Sequence, residues 1–434
     1  MILNVSFKNF RSFKNLVNFS LVAEKYQANE QNVFTQALAK GEDEVRLLNT
    51  ALIYGNNASG KTNLLRGLYR IIRFIGQSKP KAGKPIPAYD EFKFAPETIH
   101  QPTEFCIEFA GKDSIKYKYE LTFNKTDVLF EQLTYWPNNK PVNLFTREIP
   151  EENNGVTHFG KLGPSFNNEK IEVFQNQAFL SRFGEDFPHS IITNVYIYLT
   201  SIEVLNATNN RVIEYLYDEV KLLMADNFNL SVKLNELLRF IDIGLKGFHI
   251  GPDQDTEPDR DSENENIHNH VDSSIGKHAI KGIHPFYDEK NKTLSDVFLP
   301  FMQESRGTQT VFSIGGRMLK ALEAGEVLFI DELETSLHPF VTRLLIELFQ
   351  NKLINKKNAQ LVFTTHDTFL LDQNKFRKDQ VWFAEKNEFG ETELFSIQDF
   401  TDVRSDTPFN KWYLAGKFGG VPTIKTIESL FSEE

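Results

Sequence analysis

The chain has 434 residues, 40% hydrophobic and 25% charged, enough for two or three domains or one composite domain with an insertion. Its 48 basic and 59 acidic residues give a net charge of −11, which excludes a surface coated in positive charge for nucleic acid while leaving room for a local basic groove. The single cysteine, Cys106, excludes an internal disulfide, and no signal peptide or long apolar span is visible, so a cytoplasmic protein with no membrane partner is expected.

Met1 to Ser20 reads as a strand, a tight turn at Asn9-Phe10-Arg11-Ser12-Phe13 and a second strand. The apolar run Leu47 to Tyr54 then delivers Gly55-Asn56-Asn57-Ala58-Ser59-Gly60-Lys61-Thr62, which fits GxxxxGK[ST] at every fixed position. A helix is expected from Asn63 to Ile75. Glycines let backbone N–H groups turn inward around phosphate oxygens, and the helix start adds its positive dipole end. Lys61 neutralises the β and γ phosphates, and the Thr62 hydroxyl is placed to ligate Mg²⁺. Gly55 to Asn63 are therefore candidate nucleotide-binding residues, with Thr62 also a metal ligand.

Residues 76–89 carry Lys, Pro and Gly and read as an exposed loop. The period of two in Phe105, Ile107, Phe109 and in Tyr117, Tyr119, Leu121, Phe123 marks half-buried antiparallel strands, completed near Val128 to Trp136. Cys106 lies in the first of these as a small strand residue. From Phe174 to Ile243 apolar residues recur at three-to-four spacing, as in helices. Acids at every second position from Asp253 to Glu265 resemble a calcium loop, but Pro258 and Asn264 stand where Gly and Glu are required. His268, His270, His278 and His284 follow at irregular spacing in polar context, so a flexible solvated loop is expected rather than a metal site.

Val327 to Ile330 is a buried-strand run ending in Asp331-Glu332, the Walker B pattern. Asp331 is placed to hold Mg²⁺ and Glu332 to polarise the attacking water. A second such run, Gln360 to Phe363, ends in Thr364-Thr365-His366, where the histidine is a candidate contact for the γ-phosphate. Strands of this kind, ending in polar clusters, fit a parallel sheet with ligand at its carboxyl edge.

These residues together resemble the ABC-type ATPases, in the branch shared with RecF and the structural-maintenance-of-chromosomes proteins. Closer still, they resemble the short bacterial AAA-family ATPases of that branch found in anti-phage and abortive-infection systems. Asn9-Phe10-Arg11-Ser12-Phe13 matches their "NFRSF" turn, and Gly55 to Thr62 their phosphate loop. Gln303-Glu304-Ser305-Arg306-Gly307-Thr308-Gln309 matches the E-S-x-G-T form of the ABC signature. Asp331 to Pro339 matches Walker B plus the D-loop, and Asp379 to Lys386 with Tyr413 to Gly416 the C-terminal strand and tail. Ser313-Ile-Gly-Gly-Arg317 mimics the signature, but only 18 positions separate Ser313 from Asp331, against 26 from Ser305, too few for the intervening four-turn helix. Gly315-Gly316 should then weaken or kink that helix. No Q-loop glutamine is assigned; Gln101 and Gln132 are the candidates.

The resemblance implies an α/β fold: an ABC ATPase head, a mixed parallel sheet with helices plus an antiparallel β-lobe, with an inserted helical subdomain. Residues 1–140 would form the first ATPase lobe, 141–284 the insertion with its acidic loop 253–265, and 285–434 the second lobe. It implies ATP and Mg²⁺ as cofactors, ATP hydrolysis, approach of Arg11 to the nucleotide, and catalytic roles for Glu332 and His366. It also implies a head-to-tail dimer or higher even oligomer, with Ser305, Gly307 and Thr308 of one copy capping the nucleotide on the other copy's Lys61. Only about fifty residues follow Lys386, so no nuclease is expected on this chain. The leading expectation is a regulatory ATPase of a bacterial anti-phage defence system controlling a separately encoded effector such as a nuclease. The alternative is a RecF-like ATP-dependent DNA clamp in repair, which keeps nucleic acid open as a partner.

Overall fold

The computed structural model describes residues 1–26, 28–38, 44–77, 83–138, 140–149, 157–164, 168–241, 244–252, 278–404 and 406–420. By its internal contacts the chain divides into two units. The first joins Met1–Leu205 with Gly325–Leu333 and the chain from Ile346 onward; the second joins Asn206–Ala324 with Glu334–Leu345.

The first unit holds an α/β fold with two large sheets and a small two-stranded one, Val33–Gln36 with Val45–Leu48. The mixed sheet runs Glu203–Asn206, Val327–Asp331, Gln360–Thr364, Thr50–Tyr54, Val381–Lys386, Thr392–Ser396. The strands Val327–Asp331, Gln360–Thr364, Thr50–Tyr54 and Val381–Lys386 are mutually parallel, so their carboxyl ends share one edge. All five residues of Val327–Asp331, Gln360–Thr364 and Thr50–Tyr54 are buried, which is why their centres read as apolar runs. Helix Lys61–Ile75 buries Leu64, Leu65, Leu68, Ile71, Ile72 and Ile75 at helical spacing.

The second sheet of this unit is antiparallel and eight-stranded. It contains the three strands expected from alternation, observed at Thr103–Ala110, Lys116–Phe123 and Val128–Trp136. Residues assigned from sequence to the start of the insertion extend it by three more strands, Val142–Glu148, Thr157–Leu162 and Lys170–Phe174. Cys106 lies in the first of the expected strands, where burial pushes its thiol up to about 12.

A buried ion pair explains why those later strands read as polar. Arg147 and Glu131 are 1% and 0% exposed, with Nη1 3.7 Å from Oε2. Glu131 accepts the Tyr119 hydroxyl (2.9 Å) and the N–H groups of Phe179 (2.6 Å) and Leu180 (2.9 Å). Arg147 donates to the carbonyls of Phe174, Gln175 and Gln177 and meets His158 Nδ1 at 3.2 Å. Burial pushes Glu131 upward and Arg147 down to about 10, and together with Arg147 it holds His158 below its ordinary value. The pair pins the segment after Phe174 to the sheet. Arg147→Met alone should cost about 3–5 kcal/mol in urea unfolding, because it strands a buried carboxylate, whereas Arg147→Met with Glu131→Leu should recover much of that loss.

The second unit contains helices Asn210–Asp226 and Phe228–Ile241 and a three-stranded antiparallel sheet of Gly247–Pro252, His278–Tyr287 and Thr293–Pro300. Its third helical stretch begins at Arg306 and runs to Ala324, but Val311–Gly315 forms a π turn. That is the distortion expected at Gly315-Gly316, and packing explains it. A Cβ on Gly316 would lie 2.6 Å from Val220 Cγ1, and one on Gly315 would lie 3.2 Å from Leu237 Cδ2. The glycines let two neighbouring helices close in. His284 contacts Glu304 Oε1 (2.8 Å) and the Gly244 carbonyl (3.0 Å), and no metal-binding group of three or more ligand residues occurs among the described residues. The acidic stretch 253–265, His268 and His270 lie outside the described residues. No described helix is long and apolar enough to cross a membrane.

Candidate functional site

The site stands on the carboxyl edge of the parallel strands. Strand Thr50–Tyr54 leads into Gly55, and the loop closes on helix Lys61–Ile75 through Asn63 N–H to the Gly60 carbonyl (2.8 Å). Gly60 has φ 109°, and a Cβ there would meet Thr392 Oγ1 at 2.5 Å. A Cβ on Gly55 would meet the Ala384 carbonyl at 2.4 Å. Asn56 is half-buried, Asn57 and Ala58 are exposed, and Ala58 is left-handed at φ 62°. Buried Lys61 donates from Nζ to the carbonyls of Gly55 (2.7 Å) and Asn56 (3.0 Å), so its ammonium is held across the loop. A cation bracketed over a turn of backbone at a helix start fits a bound polyphosphate.

The strand end at Asp331 meets the loop. Thr62 Oγ1 lies 3.2 Å from Asp331 Oδ1, two hard oxygen donors converging at one point, the donor set Mg²⁺ takes. Thr364 donates its hydroxyl to Asp331 Oδ1 (2.7 Å) and accepts the Glu332 N–H (2.8 Å). Glu332 sits at φ 54°, an uncommon conformation for this residue, held by that bond. One hydroxyl thus fixes both acids. Thr364→Val should lower turnover about 10- to 100-fold while leaving nucleotide affinity within about threefold, as measured by steady-state kinetics against equilibrium titration.

His366 follows the end of its strand and is exposed; one residue on, the Asp367 carbonyl accepts the Tyr54 hydroxyl at 2.8 Å. The loop is also gripped from two elements that spacing did not reveal. Thr392 donates to the Ser59 carbonyl (2.7 Å) and shares a 2.8 Å hydroxyl–hydroxyl bond with Ser12, whose Oγ also accepts from Asn63 Nδ2 (2.7 Å). Within the N-terminal turn it is therefore Ser12 that reaches the phosphate-loop elements. Arg11, at φ 52°, places Nε 3.7 Å from Asp90 Oδ2, and burial together with nearby Arg66 lowers its pKa. Asn9 anchors the turn by donating to the carbonyls of Thr98, Gln101 and Pro102. Gln132 spends its amide on Thr134 in its own strand (3.0 Å).

Ser305, Gly307 and Thr308 belong to the second unit. Ser305 caps the helix by accepting the Thr308 N–H at 3.1 Å, and the two hydroxyls are 2.7 Å apart. A Cβ on Gly307 would lie 3.2 Å from the carbonyl oxygen of Ser336, so the signature glycine abuts the D-loop.

Residues 51–372 match the family model described as AAA domain, putative AbiEii toxin, Type IV TA system. No curated protein matches the chain. Among solved structures, the chain is similar to the SmcHead bound to the C-winged helix domain of ScpA, at 12% identity over 91% of this chain and 97% of that one, TM-score 0.45. It is also similar to the SMC head domain from Thermotoga maritima, at 10% identity over 91% and 98%, TM-score 0.40. A further similarity is to the recombination mediator protein RecF-ATP in the RecFOR pathway, at 12% identity over 91% and 97%, TM-score 0.36.

Proposed function

The chain belongs to the AAA-domain family described as putative AbiEii toxin, Type IV TA system, and from that premise we propose that it is a regulatory ATPase of a bacterial anti-phage defence system. It would bind and hydrolyse ATP, dimerise on it, and control a separately encoded effector such as a nuclease. The observation that carries the reading is the meeting of Thr62 with Asp331, whose Thr364 partner also holds the Glu332 backbone, beside a phosphate loop whose lysine is held across it.

In this reading Lys61 and the loop backbone bind the β and γ phosphates. Thr62 and Asp331 would hold Mg²⁺, which when bound neutralises charge building on the phosphate oxygens. Glu332 orients the attacking water and takes its proton as the bond from γ-phosphorus to the bridging oxygen breaks. His366 contacts the γ-phosphate from the neighbouring strand end. Ser305, Gly307 and Thr308 of a second copy cap the same phosphate, so the triphosphate joins two chains and hydrolysis parts them. The family description supports the defence setting, and an effector would read the closed state.

Expression with the products of neighbouring genes tests this: the chain should copurify with one of them and turn over ATP with Mg²⁺. A chain that always purifies alone, yet binds duplex or gapped DNA in an ATP-dependent and strongly salt-dependent way, would overturn the effector reading in favour of a DNA clamp.

A further inference from the structure

Residues 409–420 lie beyond the part of the chain that the family model matches. They nonetheless reach the phosphate loop. Helix Phe409–Leu414 is followed by Ala-Gly-Lys-Phe-Gly-Gly, with Gly416, Gly419 and Gly420 at φ 73°, 68° and 66°. The turn is anchored by Phe418, fully buried, whose ring stacks 5.4 Å from Phe383. Tyr413 lies 5.7 Å from the Tyr54 ring and 5.5 Å from Phe383, so the segment packs on the residue that precedes Gly55.

Gly420 itself is held at both ends of its backbone. Its N–H donates to Glu385 Oε1 at 3.2 Å, and its carbonyl accepts the Tyr413 hydroxyl at 3.1 Å. A Cβ added to it would lie 3.6 Å from Gly55 Cα. Gly55 is in turn wedged against the Ala384 carbonyl, and it supplies one of the two carbonyls that hold Lys61. Tyr413 and Glu385 therefore hold Gly420 close beside Gly55, Tyr413 also packs on Tyr54 just before it, and the Gly55 carbonyl receives the lysine ammonium.

The geometry points to Tyr413 and Glu385 as positioning residues for nucleotide: they hold Gly420 beside Gly55, Tyr413 packs on Tyr54, and together they steady the start of the phosphate loop. The inference rests on the ATP-binding reading above and adds to it a positioning role for two residues of the C-terminal strand and tail, beyond the matched residues 51–372. Neither residue touches the nucleotide. Each acts on affinity by keeping the Gly55–Asn56 backbone, and with it Lys61, in the binding geometry before ligand arrives.

The test compares the full chain with Tyr413→Phe, Glu385→Ala and the double variant, in titrations of a fluorescent ATP analogue, steady-state turnover and thermal melting. Each single change removes one hydrogen bond to Gly420 and should raise both the analogue Kd and the KM for ATP about 3- to 5-fold, and the double about tenfold or more. Turnover number should stay within about twofold, which a merely structural loss would not allow. Gly416→Asn is the control. That residue is left-handed with nothing within 4 Å of a would-be Cβ, and Asn tolerates the conformation, so its Kd should match the parent. Unchanged affinity in the double variant, or an equal loss in Gly416→Asn, overturns the positioning role. A parent chain that binds no analogue overturns the ATP-binding reading itself, so the two failures are separate.

Discussion

Glu332→Gln should bind ATP with the affinity of the parent chain, hydrolyse it about 10²- to 10⁴-fold more slowly, and accumulate as a dimer in ATP. The substitution is narrow. Gln keeps the length and the Cβ of Glu, so the left-handed backbone at φ 54° is no more strained, and the N–H bond to Thr364 is untouched. What disappears is the proton acceptor. Sedimentation in ATP and Mg²⁺ reads the dimer, and phosphate release reads the rate. Turnover within twofold of the parent would show that another group activates the water.

Lys61→Ala should weaken ATP binding by at least about 100-fold, because a buried cation meeting two phosphates makes charge-assisted bonds that water does not replace. It should abolish cellular function with it. Lys61 is 6% exposed and bonds two loop carbonyls, so its loss also frees the Gly55 and Asn56 carbonyls. Lys61→Met, which keeps the apolar stem, separates the two effects. If it melts with the parent yet fails to bind, the charge is the cause. Retained affinity in Lys61→Met would remove the lysine from the phosphate site.

The elements legible in the sequence are those whose chemistry is local. The phosphate loop is contiguous, Walker B is a buried strand with two acids attached, and the strands Thr103–Ala110 and Lys116–Phe123 alternate cleanly. Strands Val142–Glu148 and Thr157–Leu162 escaped because Arg147 and His158, both fully enclosed, occupy positions where alternation calls for apolar residues. Strand Thr293–Pro300 escaped for the opposite reason: nearly every residue in it is exposed, so burial imposes no period. The partners of the site were hidden by distance along the chain. Nothing near Ser12 announces Thr392, because that pairing joins a turn of one sheet to a strand of the other, and nothing near Asp331 announces the Thr364 hydroxyl, because that pairing is made by strand order. Arg11 stands out in its motif, while the turn is built on Asn9 and touches the loop elements through Ser12.

That strand order also dictates when the site can exist. Strand Thr50–Tyr54, which carries the phosphate loop, is flanked on both sides by strands translated far later, Gln360–Thr364 and Val381–Lys386. A growing polypeptide on the ribosome therefore holds an unfinished cradle until the strand ending at Lys386 has emerged, and the late non-local pairing makes its closure slow. Premature termination anywhere before residue 360 leaves a fragment with the fingerprint of an ATPase and no place to seat the nucleotide.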